Sequence, residues 1–150
     1  MFFLKELPTR RMLQNYGERY PSMNAQAVTE ALRLLRRASL LMRELEAYFS
    51  VHKLSQTRFL VMIVIDREPE RNGLLASEIA DRLDISRPVV TETVKALMRA
   101  DLLSSVPATE DGRAKRITLT PTGQAVLAGL LPGYFAIIAN FMGREDVQPA

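Results

Sequence analysis

Residues 76–99 read ASEIADRLDISRPVVTETVKALMR, and this stretch decides the fold. Ile79, Leu83, Ile85, Val90, Val94 and Leu97 are spaced so that two short helices, Ala76–Leu83 and Arg87–Ala100, pack at a steep angle. Ala80 is small where they approach most closely, Asp84-Ile85-Ser86 makes the tight turn, and Ser86 caps the second helix. This is helix-turn-helix patterning. Ser86, Arg87, Val89, Thr91, Glu92, Lys95 and Arg99 lie off the apolar stripe of the second helix. A positive helix end, short polar side chains and a lysine suit the major groove of duplex DNA. An ordinary helical hairpin has the same apolar spacing, so these residues alone do not separate the two readings.

The segment that follows shifts the balance. Leu102–Val106 and Lys115–Leu119 read as two strands, joined by the polar link Pro107–Ala114. Near the tip stand Asp111, Arg113, Lys115 and Arg116. Three cations on a short ribbon can track a phosphate backbone or reach the minor groove. Asp111 is placed to hold and aim the Arg113 guanidinium. A solvated charged turn is the plain alternative, and the order helix, helix, basic hairpin weighs against it.

Upstream, Ser22 caps a long helix over residues 23–50, about 40 Å by its rise. Val28, Ala31, Leu32, Leu35, Ala38, Met42, Leu45 and Phe49 form its apolar stripe. His52-Lys53 turns the chain, and Ser55 opens a helix to Asp66 through the apolar run Phe59–Ile65. Glu68–Gly73 is a polar loop. Before the long helix, Pro8 and Pro21 bracket a short helical arm too small to fold alone. After the hairpin, Thr120 caps a last long helix with Pro121 at its first position, and Pro132-Gly133 is expected to kink it.

Composition narrows the class. The 150 residues fit one domain, and 47% hydrophobic with 25% charged residues is ordinary for a soluble protein with a core. A net charge of +3 suits a polyanionic partner without demanding one. No cysteine is present, which removes thiolate catalysis and disulfides, and the single histidine, His52, cannot build a zinc site. No cofactor is implied. No apolar run is read as reaching the roughly 18 residues that span a bilayer, so no membrane partner and a cytoplasmic location are expected.

Leu54-Ser55-Gln56-Thr57-Arg58-Phe59, the helix pair, Asp111-x-Arg113 and Ile117-Thr118-Leu119-Thr120-x-x-Gly123 together resemble the MarR family of transcription regulators. The resemblance runs in order over about residues 23–142. It implies a mainly α fold with a small β-wing: a winged helix-turn-helix lobe over 55–120 within a single 1–150 domain, with dimerisation helices over 1–50 and 121–150. It implies a homodimer on double-stranded DNA, at a palindromic operator, and a small aromatic or lipophilic effector. Departures are visible too. Ser104-Ser105 stands where such regulators often carry an acid or arginine pair, and Leu75 where a polar helix cap is common. Glu92 and Lys95 exchange the usual charges, and Glu145–Ala150 resembles a final helix that stops early.

Two other classes fit the sequence less well. An enzyme lacks its nucleophile, metal cluster and Gly-rich phosphate loop here. A protein–protein adaptor has no need of Arg113, Lys115 and Arg116 beside Thr91 and Lys95. Arg33, Arg36 and Arg37 read as a solvated helix face, or as a reach toward flanking phosphates or a partner subunit. Tyr48, His52, Arg58 and Met62 are candidate lining for an effector crevice, because Arg58 places a cation at the edge of an apolar run. The plain alternatives are that Arg58 pairs with Asp66 or Glu46 and that His52 simply favours a helix end.

Overall fold

The computed structural model describes residues 2–110 and 112–144. Asp111 and the segment 145–150, with the expectation of an early-stopping helix, lie outside the described residues. The chain divides into two compact units, Met1–Leu45 and Glu46–Ala150.

In the first unit α1 spans Arg10–Arg19, as the bracketing prolines suggested, and Thr9 caps it by accepting from the Met12 N–H. Tyr16 and Tyr20 stack at 6.3 Å, with the Arg19 guanidinium 4.8 Å from the Tyr16 ring centre. The long helix α2 covers Ala25–Val51. Its cap is not Ser22: the Ala27 N–H bonds to Asn24 Oδ1 at 3.0 Å, so the helix starts two residues later than the apolar stripe suggested. Leu34 and Leu35 are exposed on it.

In the second unit the last turn of α2 ends in a left-handed residue, Lys53, with Leu54 N–H on Phe49 O and Lys53 N–H on Ser50 O. Helix α3, Gln56–Asp66, begins at Ser55, whose hydroxyl accepts from the Arg58 N–H. The expected polar loop holds one 3₁₀ turn, Pro69–Arg71, and then a strand the sequence reading did not anticipate, β1 at Leu74–Leu75. Helices α4, Ala76–Asp81, and α5, Arg87–Arg99, form the helix-turn-helix. Strands β2, Leu103–Pro107, and β3, Lys115–Leu119, form the wing, and the sheet order is β1-β3-β2, all antiparallel. Helix α6 spans Pro121–Met142.

The core of this unit is Phe49, Phe59, Val61, Met62, Leu74, Ile79, Val90, Leu97, Leu103 and Leu127, all nearly inaccessible. Phe59 stacks on Phe49 at 4.5 Å and meets Tyr134 at 4.8 Å. Helix α6 continues through Pro132, and the hydroxyl of Tyr48 donates to Leu130 O at 2.8 Å just before it. A Cβ on Gly133 would collide with the Tyr48 hydroxyl, so glycine there admits the ring.

One expectation is corrected by α6. It has no charged residue, and its most apolar 18-residue window reaches a mean hydropathy of 1.8 with 17% of that window buried, so it is long and apolar enough to cross a membrane. Glycine, proline and asparagine within it hid that length from a run-based reading.

Candidate nucleic-acid interface

Two backbone devices hold the helix pair against the wing. Helix α5 ends on left-handed Asp101, with Leu102 N–H on Leu97 O and Asp101 N–H on Met98 O, a Schellman ending without glycine. Thr120 then donates its hydroxyl to Asp101 O at 2.6 Å, while the same oxygen accepts from Gly123 N–H at 2.9 Å and so caps α6. A Cβ on Gly123 would overlap the Leu102 carbonyl. The Thr120-x-x-Gly123 pattern is therefore the join between α5, β3 and α6.

The second device lies at β1. Gly73, with φ +100, lets β1 lie on β3, since a Cβ there would strike Ile117 O. Leu75 opens α4 without a side-chain acceptor; instead its own N–H bonds to Glu78 Oε1 at 3.0 Å. Arg82 grips Glu68 with two nitrogens, at 2.8 and 3.0 Å, and also donates to Glu78 O at 2.9 Å. The hydrogen bond to Glu68, more than any other neighbour, holds Arg82 protonated beyond its ordinary range. The sequence reading missed this clasp, because Glu68 and Arg82 meet only once the 3₁₀ turn folds back on α4.

On α5, Val90, Val94 and Leu97 face the core, and Ser86, Arg87, Val89, Thr91, Glu92, Lys95 and Arg99 are exposed as expected. Ser86 occupies the cap position but makes no side-chain cap bond, a correction to its expected role. Pro88 follows at the second helical position and has no N–H to offer. Thr91 donates back to Arg87 O at 3.0 Å and Thr93 to Val89 O at 2.7 Å. Arg87 stands 3.7 Å from Asp81, and Lys95 3.2 Å from Glu92, both pairs exposed.

On the wing, Arg113 is exposed just before β3 and Lys115 is exposed at its start, opposite Pro107. Arg116 departs from the expectation of an outward cation. It is half-buried and donates to Gly73 O at 3.4 Å, because β3 pairs on both sides and Arg116 sits between Leu75 and Val106. Ser104 is joined to Thr118 by their hydroxyls at 3.1 Å, so the position without an acid or arginine serves the sheet. The expected Asp111 brace falls outside the described residues.

Of the candidate effector residues, Tyr48 and His52 meet edge to face at 4.7 Å, and Arg58 is half-buried. Among the described residues neither Asp66 nor Glu46 pairs with Arg58. Met62 is fully enclosed and lines no crevice in the chain as folded. A shallow depression lies nearby, lined by Glu46, Ser50, Lys53, Leu54, Ser55, Gln56 and Thr57, and it includes none of the four.

Comparison with known proteins places this geometry. A family model described as MarR family matches residues 52–114. The chain is 30% identical over 147 residues to the HTH-type transcriptional repressor YetL of Bacillus subtilis (strain 168), covering 95% of this chain and 87% of that protein. The chain belongs to the MarR family. Its members here are transcription regulators and not enzymes. The M. tuberculosis transcriptional regulator MOSR, solved in complex with DNA, superposes with a TM-score of 0.61 at 25% identity, covering 77% of this chain and 82% of that one. Bordetella bronchiseptica BpsR, whose DNA binding is regulated by 6-hydroxynicotinic acid, has the same fold, with a TM-score of 0.65 at 19% identity and coverage of 76% and 84%. The fold is that of the winged helix-turn-helix proteins of the MarR family, with α4 and α5 as the helix pair and the β2–β3 hairpin as the wing.

Proposed function

We propose that this MarR-family regulator is a cytoplasmic transcriptional repressor that binds a palindromic operator as a homodimer. The carrying observation is the outward face of α5, which leaves Ser86, Arg87, Thr91, Lys95 and Arg99 exposed, followed directly by a hairpin bearing Arg113 and Lys115. Thr91 and Lys95, with Ser86 and Arg87 at the helix start, set sequence preference; Arg113 and Lys115 contact backbone or minor groove. The YetL likeness supports repression, and the MOSR complex supports duplex DNA as the partner. Two copies read half-sites about 10 base pairs apart.

Exposed apolar side chains support the dimer: Leu34 at 69% and Leu35 at 48% on α2, and Phe135 at 57% and Met142 at 59% on α6. Apolar surface of this extent calls for a partner, and a second copy fits it without a membrane. Sedimentation shows a dimer at micromolar concentration on this account; a stable monomer overturns it.

Release comes from a small aromatic or lipophilic anion near Tyr48, His52 and Arg58; what supports this is that Tyr48 and His52 meet edge to face and that Arg58 is half-buried with no carboxylate partner among the described residues. Such a ligand acts only through unequal affinity for the free and DNA-bound forms. Electrophoretic mobility shifts with DNA upstream of the chain's own gene test the function. A retarded complex that unrelated duplex does not compete away is expected, and salicylate-like acids at millimolar concentration are expected to dissolve it.

A further inference from the structure

Helix α5 turns Val90, Val94 and Leu97 inward, at 1%, 5% and 0% exposure. Pro88, Glu92, Lys95 and Arg99 recur at steps of four, three and four, and so line the stripe directly opposite. The hydroxyl protons of Thr91 and Thr93 are already given to Arg87 O and Val89 O. At mid-helix the stripe therefore presents an acceptor, Glu92, and a donor, Lys95, with Oε1 and Nζ 3.2 Å apart.

A carboxylate in the middle of a face that meets a polyanion lowers affinity for every sequence unless a base rewards it. The bases that do so in the major groove are cytosine and adenine, whose N4 and N6 amino groups donate. In a C·G pair, cytosine N4 and guanine O6 face each other at an ordinary hydrogen-bond separation, about 2.9 Å. The Glu92–Lys95 pair spans nearly the same distance with complementary signs. It docks edge-on without being pulled apart: Glu92 accepts from the free N4 hydrogen, and Lys95 donates to O6 with N7 beside it.

We propose that Glu92 and Lys95 act as one reading unit that selects a C·G pair, cytosine toward Glu92, in each half-site. This rests on the reading of α5 as the DNA-reading helix. An A·T pair offers donor and acceptor in the same order, but thymine places its methyl group where guanine has N7. A G·C pair reverses the order and sets the carboxylate against O6.

The test is selection of binding sites from a randomised duplex pool by the unaltered chain, Glu92→Ala and Lys95→Ala, followed by affinity measurements on the winners. Both substitutions are expected to relax the same C·G position, by about 5- to 150-fold in discrimination, and to leave the other positions intact. Glu92→Ala is also expected to bind random duplex more tightly. If Glu92→Ala keeps the consensus and only tightens binding to all sequences, the carboxylate merely repels phosphates and the proposal fails. It fails equally if the two variants relax different positions. Both outcomes leave α5 as the reading helix; absence of any consensus with the unaltered chain overturns that reading as well.

Discussion

Arg82 and Arg87 stand at opposite ends of the turn between α4 and α5, each beside a carboxylate, and the two pairs behave differently. Arg82 meets Glu68 with two short contacts, and the side chains keep only 22% and 28% of their exposure. Arg87 stands 3.7 Å from Asp81, with the side chains 74% and 67% exposed. The first pair ties the 3₁₀ turn before β1 to α4. The second is loose, screened by solvent and salt, and contributes little to folding. A planar fork held on both sides is scaffold; a guanidinium left three-quarters exposed at a helix N-terminus is available to DNA. The same residue type thus serves framework and function within one turn of chain.

That contrast predicts which substitutions disturb folding and DNA binding together, and which disturb binding alone. The largest effect is expected at the join of α5 and α6. Gly123→Val drives a branched side chain into the Leu102 carbonyl and costs about 3 kcal/mol or more, read as a large fall in Tm by circular dichroism with loss of DNA binding. Next, Glu68→Ala removes the fork that Arg82 holds. Melting temperature and DNA affinity are expected to fall in step; a variant that melts normally yet binds poorly would move Glu68 from the scaffold to the interface.

Arg113→Ala should do the reverse of those two. Melting stays unchanged, affinity falls for all duplexes alike, and the slope of log affinity against log salt becomes shallower by about one contact. Unaltered affinity with intact folding would make the wing a bystander. The smallest change is expected from Asp81→Ala, which leaves stability within about 0.5 kcal/mol. Freed from its loose partner, Arg87 should hold DNA slightly more tightly in an anisotropy titration; a clear loss of stability would make this pair a second clasp.

The sequence made some of this arrangement legible and hid other parts for physical reasons. Faces of α5 could be read because Val90, Val94 and Leu97 keep the helical period. Ser55 and Thr120 could be read as caps because a hydroxyl before a helix has one main use. Strand β1 could not, since two residues carry no period and owe their conformation to β3 and to the left-handed Gly73. Arg116 looked like its neighbours Arg113 and Lys115, yet strand alternation and a second pairing partner turned it to Gly73 O. Ser86 holds the cap position without the cap bond, although Val89 three residues on has an N–H to give. Met62 lies in the apolar run that Arg58 precedes, and α3, apolar nearly all round, buries it in the core and not on a crevice. What depends on local period survives in one dimension; a cap survives only in part, held at Ser55 and Thr120 and lost at Ser22 and Ser86, and what depends on which strand lies alongside does not.

The central claim is that α5 and the wing together grip a particular duplex. It is tested most directly by titrating the full chain against a labelled duplex bearing its selected palindrome and against a scrambled one, over a range of salt. The account predicts that the palindrome is preferred by roughly a thousandfold or more near physiological salt, with log affinity falling linearly with log salt. Equal affinity for the two duplexes, or no binding at low salt by a folded chain, would contradict it.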